Sequence, residues 1–276
     1  LGDFIHSVPI IVGAPCFCYD FDGYDAFKPL RDPMVYIGAN DGALHGFSLA
    51  TGEEKWAFVP LNLQDKLNRA NEPKFNICGE DYCHQFFVDG SPQAADIHDG
   101  SSWKTILVCG EREGGDAYFA LDITSGVLNE SASPGQYLWQ FRDAANPSYL
   151  VDEVDNDSDG IIDEQDEVES QLGQTWASVS IDRIADGADN RIWGVFFGSG
   201  WSSANQENKQ AYLYGIGAND ATPLWQRDGL DINRIKLSNS QLFNDVASPV
   251  LTADFEGDHI SDSIYVGNRY GTLYRV

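Results

Sequence analysis

A chain of 276 residues, 42% of them hydrophobic and 12% aromatic, can bury a substantial core, which excludes wholesale disorder. Seventeen Lys+Arg against 43 Asp+Glu give a formal net charge of -26, which repels phosphate backbones and anionic lipid surfaces and excludes nucleic acid as a partner. No run of about 18 apolar residues occurs, so insertion through an ordinary transmembrane helix is excluded as well.

In chain order, Ser7-Val8-Pro9 marks a first strand and Val35-Tyr36-Ile37-Gly38 a second. A tight turn at Asn40-Asp41-Gly42 leads to a third strand, Leu44-His45-Gly46-Phe47, and Thr51-Gly52-Glu53 turns the chain into a segment bearing Trp56. Leu61 to Ala70 reads as a short helix. The strand–turn–strand pattern returns three times. Leu107-Val108-Cys109-Gly110 precedes Tyr118-Phe119-Ala120-Leu121 and Trp139; Val195-Phe196-Phe197-Gly198 precedes Tyr212-Leu213-Tyr214-Gly215 and Trp225. Ile264-Tyr265-Val266-Gly267 precedes Leu273-Tyr274-Arg275-Val276. Ser91-Pro92, Ser178 and Ser248-Pro249 mark the strand that opens each later unit.

Short strands joined by Gly/Asn/Asp turns and repeated along the chain predict an all-β fold, a β-propeller, with a generic β-sandwich as the alternative. The predicted blade units run over roughly 1–59, 87–142, 174–227 and 246–276 of a single domain, 1–276. The repeated glycines lie 72, 88 and 69 residues apart, so the blades carry long insertions, chiefly 13–33, 60–86 and 143–173. Three complete units and one that stops after its third strand do not close a ring. The expectation is therefore an incomplete or truncated part of a larger propeller, and the start at Leu1 reads as a mature or excised piece.

Residues 152–169 hold ten acidic residues and no Lys or Arg, and such crowded carboxylates repel one another unless a cation offsets them. Asp155, Asp157 and Asp159 stand at loop positions one, three and five, Gly160 at six, Asp163 at nine and Asp166 at twelve. With the backbone carbonyl of Ile161, these oxygens predict a calcium loop, since all-oxygen ligands in a flexible ring favour calcium over zinc, copper or magnesium. Asp166 is shorter than the glutamate that usually closes such a loop, and a solvated acidic insertion is the alternative.

Cys16, Cys18, Cys78 and Cys83 are disulfide candidates, and four cysteines allow three pairings. A Cys16–Cys18 bond is strained, so cross-loop bridges or a Cys78–Cys83 bridge are expected. A zinc site from the same four has suitable ligands but lacks paired Cys-x-x-Cys spacing. Disulfides imply an oxidising compartment. Cys109, on a predicted buried strand, reads as a free, inert thiol. The five His are scattered without metal-ligand spacing, and Gly110-Glu111-Arg112-Glu113-Gly114-Gly115 carries two acids that repel a phosphate.

The first repeat resembles the blade unit of quinoprotein-like propellers. Leu1-Gly2-Asp3-Phe4-Ile5-His6-Ser7-Val8-Pro9 followed by that unit resembles the C-terminal propeller of the PilY/PilC family, type IV pilus biogenesis factors and tip-associated adhesins. Ala253-Asp254-Phe255-Glu256-Gly257-Asp258, leading through Asp262 to Ile264-Tyr265-Val266-Gly267, resembles a family segment in which a calcium loop enters a blade strand. The resemblance implies a second calcium loop from Asp254, Glu256, Asp258 and Asp262, with His259 where a glycine normally makes the turn; an exposed blade turn is the alternative. It also implies a secreted, outer-membrane-associated protein at the cell surface or pilus tip. Its partners would be pilus subunits or minor pilins, and host-surface or other extracellular ligands. No enzyme is expected. A pyrroloquinoline-quinone-dependent dehydrogenase and a purely structural filament propeller are the rivals.

Overall fold

Along β2 (Met34–Gly38), Met34, Tyr36 and Gly38 are buried and the two residues between them half-buried, the two-residue period of a strand with one face turned to a core. The structure, a computed structural model, describes residues 2–15, 19, 23–27, 32–69, 84–126, 136–143, 172–185, 191–201, 211–227, 230–237 and 246–276. β1 (Ile10–Val12), β2, β3 (Leu44–Ser48) and β4 (Glu54–Phe58) form an antiparallel four-stranded meander, with α1 (Tyr24–Phe27) between its first two strands. A 3₁₀ turn at Leu61–Leu63 runs into α2 (Gln64–Arg69), where the sequence predicts a short helix.

β5 (Gln93–His98), β6 (Trp103–Gly110), β7 (Tyr118–Asp122) and β8 (Tyr137–Phe141) repeat the meander. β9 (Ser180–Ala185), β10 (Arg191–Gly198) and β11 (Tyr212–Gly217) begin the third sheet. Its fourth strand differs from the expectation: β12 (Trp225–Arg227) pairs instead with β13 (Leu230–Ile232), and β14 (Arg234–Lys236) takes the place beside β11. Pro223 carries no backbone N–H and makes only an isolated bridge to Ile216, so the ladder does not continue into Trp225. β15 (Leu251–Ala253), β16 (Ser263–Gly267) and β17 (Leu273–Arg275) form the last, three-stranded sheet. These successive small antiparallel sheets are the blades of the expected all-β propeller architecture.

The apolar layers lie between consecutive blades, and strand alternation decides which layer each side chain enters. On β6, Leu107 and Cys109 join Tyr36, Leu44 and Trp56 of the first sheet, whereas Ile106 and Val108 join Val195, Phe197 and Tyr214 of the third. On β10, Phe196 turns the opposite way, to Leu213, Ile264 and Val266. Inner strands are thus covered on both faces, which is why they read as continuous apolar runs.

The glycines that end the second strands of the first and third sheets are explained by the same stacking. A Cβ on Gly38 would collide with the carbonyl oxygen of Val88, and one on Gly198 with that of Val246, both on the segment entering the next blade. Two of the opening serines close their blades: Ser7 Oγ accepts from Gly38 N at 2.9 Å, and Ser248 Oγ accepts from Gly267 N at 3.0 Å. The tryptophans cover small residues of the third strand. Trp56 faces Gly46, Trp139 faces Ala120, and the Trp225 ring reaches Gly215 although its backbone has left the sheet.

Candidate functional site

The loop from Asp254 to Asp262 joins β15 to β16 and is folded around one carboxylate. Asp254 Oδ1 accepts from the backbone N–H of Glu256 at 3.1 Å and Gly257 at 2.6 Å, and its Oδ2 accepts from His259 N at 2.8 Å. Asp262 Oδ2 accepts from Phe255 N at 2.7 Å, and Asp258 Oδ1 from Ile260 N at 3.0 Å. Desolvation raises the Asp254 pKa, but the donors at Gly257, His259, Asp258 and Glu256 outweigh it and hold the carboxyl below its ordinary value. The acid is therefore ionised and pre-shaped to accept.

Two residues make the reversal, Gly257 with φ 75° and His259 with φ 63°. His259 occupies the position where the resemblance leads one to expect glycine, and the backbone there takes the left-handed conformation that glycine favours. The loop ends rest on the neighbouring blade. Ser261 N donates to Arg183 O at 2.8 Å, and Ser261 Oγ and Thr252 Oγ1 each donate to Asp182 Oδ2 at 2.6 Å. The His259 ring meets Tyr19 edge-on at 5.3 Å, and Tyr19 stacks on Trp103 at 5.2 Å. Sequence reasoning missed Asp182 and Tyr19, which lie in other blade units and carry no spacing signal.

Asp254, Glu256, Asp258 and Asp262 all stand on this one exposed loop, offering only oxygens, which fits a hard cation. Their carboxylates are not drawn into a single shell. Among the described residues, the only group of three or more ligating side chains with atoms within 4.8 Å of one another is His6, Asp89 and Glu113, at the seam of the first and second blades.

The first predicted calcium loop, Asp155 to Asp166, lies outside the described residues, as do Cys16, Cys18, Cys78 and Cys83. The described residues that bracket the acidic stretch are joined. Leu172 N donates to Asp143 Oδ2 at 3.2 Å, and the same oxygen accepts from Tyr214 OH at 2.7 Å and Arg234 Nη1 at 2.8 Å, in a buried cluster. Cys109 is a buried free thiol whose pKa burial pushes far above the usual range.

A family model of the PilY1 beta-propeller domain matches residues 1–276. The type IV pilus biogenesis factor PilY1 of Pseudomonas aeruginosa (strain UCBPP-PA14) is 29% identical over 286 residues, covering 100% of this chain and 20% of the relative. A type IV pilus biogenesis factor PilY1 homolog of Xylella fastidiosa (strain Temecula1) is 30% identical over 287 residues, covering 100% of this chain and 19% of the relative. The crystal structure of the P. aeruginosa PilY1 C-terminal domain superposes with a TM-score of 0.64 at 26% identity, over 96% of this chain and 44% of that one. The chain thus spans about a fifth of the length of these curated relatives.

Proposed function

The chain belongs to the PilY1 β-propeller family over residues 1–276, and from that membership we propose that it is the propeller portion of a type IV pilus biogenesis factor, acting at the cell surface. Its role is binding and assembly rather than catalysis, with pilus subunits or minor pilins as partners and adhesion to extracellular ligands as a further role. Support comes from relatives described as pilus biogenesis factors that align with the entire chain.

Calcium is the ion we assign to this propeller, and the Asp254–Asp262 loop is the observation that carries the assignment. The loop reverses at Gly257 and His259, and an ionised Asp254 already organises its backbone. Asp254, Glu256, Asp258 and Asp262 would hold the ion, and Asp155, Asp157, Asp159, Ile161, Asp163 and Asp166 would hold another. A bound cation offsets carboxylate repulsion and fixes the loop against Asp182 of the adjacent blade, giving a rigid rim on which a partner docks.

Thermal melting and limited proteolysis of the 276-residue chain, in calcium and then in chelator, test this reading. Calcium is expected to raise the melting temperature and protect the Asp254–Asp262 loop, and Asp254→Ala with Asp262→Ala to remove that protection. Identical digestion under both conditions overturns the calcium assignment. In the native organism, the same double substitution in the full-length protein is expected to reduce surface piliation; unaltered piliation and adhesion argue against a functional role for the loop.

A further inference from the structure

His6, Asp89 and Glu113 come from three separate segments: the approach to β1, the entry to the second blade, and the turn between β6 and β7. His6 Nδ1 lies 2.6 Å from Asp89 Oδ2, and His6 N also donates to Asp89 Oδ1 at 3.3 Å. Asp89 has a fully buried carboxylate, and among the described residues its side chain accepts only from His6. One imidazole therefore faces two carboxylates, a mixed nitrogen and oxygen donor set.

The site is held from outside. The His6 ring is stacked on Phe86 at 5.6 Å and tilted against Trp176 at 5.7 Å, so its orientation is set by packing. Two cations border the site and both donate to backbone carbonyls: Lys66 Nζ, on which the Glu113 charge acts, donates to Phe86 O at 2.6 Å and Gly114 O at 2.8 Å. Arg112 Nη1 donates to the His6 carbonyl at 3.4 Å, and its guanidinium lies 4.2 Å over Trp176. Arg112 itself has φ 53°, and its N–H is held by Thr175 Oγ1 at 2.9 Å, a tight left-handed turn that carries Glu113 next in sequence. Glu113 and His6 are both partly exposed, which leaves an entrance from solvent.

We propose that His6, Asp89 and Glu113 form a zinc site of the open kind, with three protein ligands and water in the fourth place. An imidazole nitrogen with two carboxylate oxygens suits a borderline divalent ion, whereas calcium takes six to eight oxygens. Two carboxylates and a neutral imidazole match the +2 charge. Zinc–ligand bonds of about 2.0–2.2 Å require the three groups to draw together from their present spread, which the partly exposed Glu113 can accommodate. The ion takes the place of the hydrogen bond between His6 Nδ1 and Asp89 Oδ2. It also ties the approach to the first blade to the second. This site is independent of the calcium loops and of the pilus role.

Isothermal titration of the 276-residue chain with zinc chloride in excess calcium, with anomalous diffraction at the zinc edge, tests the proposal. The expected result is an anomalous peak between His6, Asp89 and Glu113, with zinc affinity lowered by roughly tenfold or more in Glu113→Gln. Because Glu113 is partly exposed and its side chain makes no hydrogen bond among the described residues, that variant should melt at the wild-type temperature without zinc; His6→Gln, which also loses the Asp89 bond, is the second variant. Wild-type zinc affinity in Glu113→Gln overturns the proposal. So does a zinc peak found only elsewhere, at the cysteines or at the exposed His84–Asp3 pair.

Discussion

The indole Nε1 of Trp56 donates to the carbonyl oxygen of Gly126 at 3.1 Å, and so joins the fourth strand of the first blade to the turn after the third strand of the second. The next blade repeats the arrangement, with Trp139 Nε1 donating to Ala218 O at 3.0 Å. Each tryptophan covers a small residue of its own sheet and stitches that sheet to its neighbour, so a sequence repeat becomes a repeated joint.

Trp56→Phe keeps most of the packed area but strands the Gly126 carbonyl in a buried setting. A loss of about 1–3 kcal/mol is expected in urea denaturation. Trp56→Ala, which also opens a cavity, should cost about 3–5 kcal/mol.

Asp143→Ala should cost about 3–5 kcal/mol, because it leaves the buried Arg234 guanidinium without its carboxylate and releases Leu172 N and Tyr214 OH. Denaturation of the variant beside wild type measures this. A change below about 1 kcal/mol, the range of an exposed pair, contradicts a buried structural role.

At His259, left-handed backbone costs a non-glycine residue roughly 1–2 kcal/mol, while the edge contact with Tyr19 returns about 0.5–1.5 kcal/mol. His259→Gly alone is therefore expected to move the melting temperature little. In a Tyr19→Ala background, where the ring contact is already gone, the same substitution should stabilise. Equal effects in both backgrounds would show that the two rings are not coupled.

His45 bonds Glu54 Oε1 through Nδ1 at 2.7 Å and Asp41 Oδ1 through Nε2 at 3.1 Å. Burial lowers its pKa, but the hydrogen bonds and charges of Glu54 and Asp41 more than compensate, so the folded value lies above that of a free histidine. The folded state holds this proton more tightly. Its stabilisation is complete below the unfolded pKa and lost as pH rises through the folded one. With both carboxylates partly exposed, the effect is about 0.5–1 kcal/mol. His45→Gln should remove that component of the pH dependence, and NMR titration of the ring should give a midpoint above about 6.5.

The blades were legible in the sequence because each repeated feature has a local cause. The glycines at 38 and 198 admit the backbone of the next blade, and Ser7 and Ser248 cap the strands that end in Gly38 and Gly267. The odd residue at 259 was visible too, since a loop of that spacing needs a left-handed turn there. Pairings across blades were not legible. His6 and Asp89 are 83 residues apart, and Tyr19 reaches His259 across most of the chain, so no window of sequence holds both partners. Trp225 misled for a different reason: its ring occupies the expected place while the backbone beneath it does not.

Because Asp143 grips the amide of Leu172, the chain leaves the third-blade seam and returns to it at nearly one point. Joining two such ends costs entropy that grows only slowly with the length between them. The acidic stretch between can therefore lengthen, shorten or change composition over evolution while the blades register little strain. A passenger domain grafted between residues 143 and 172 should be carried by the propeller in the same way.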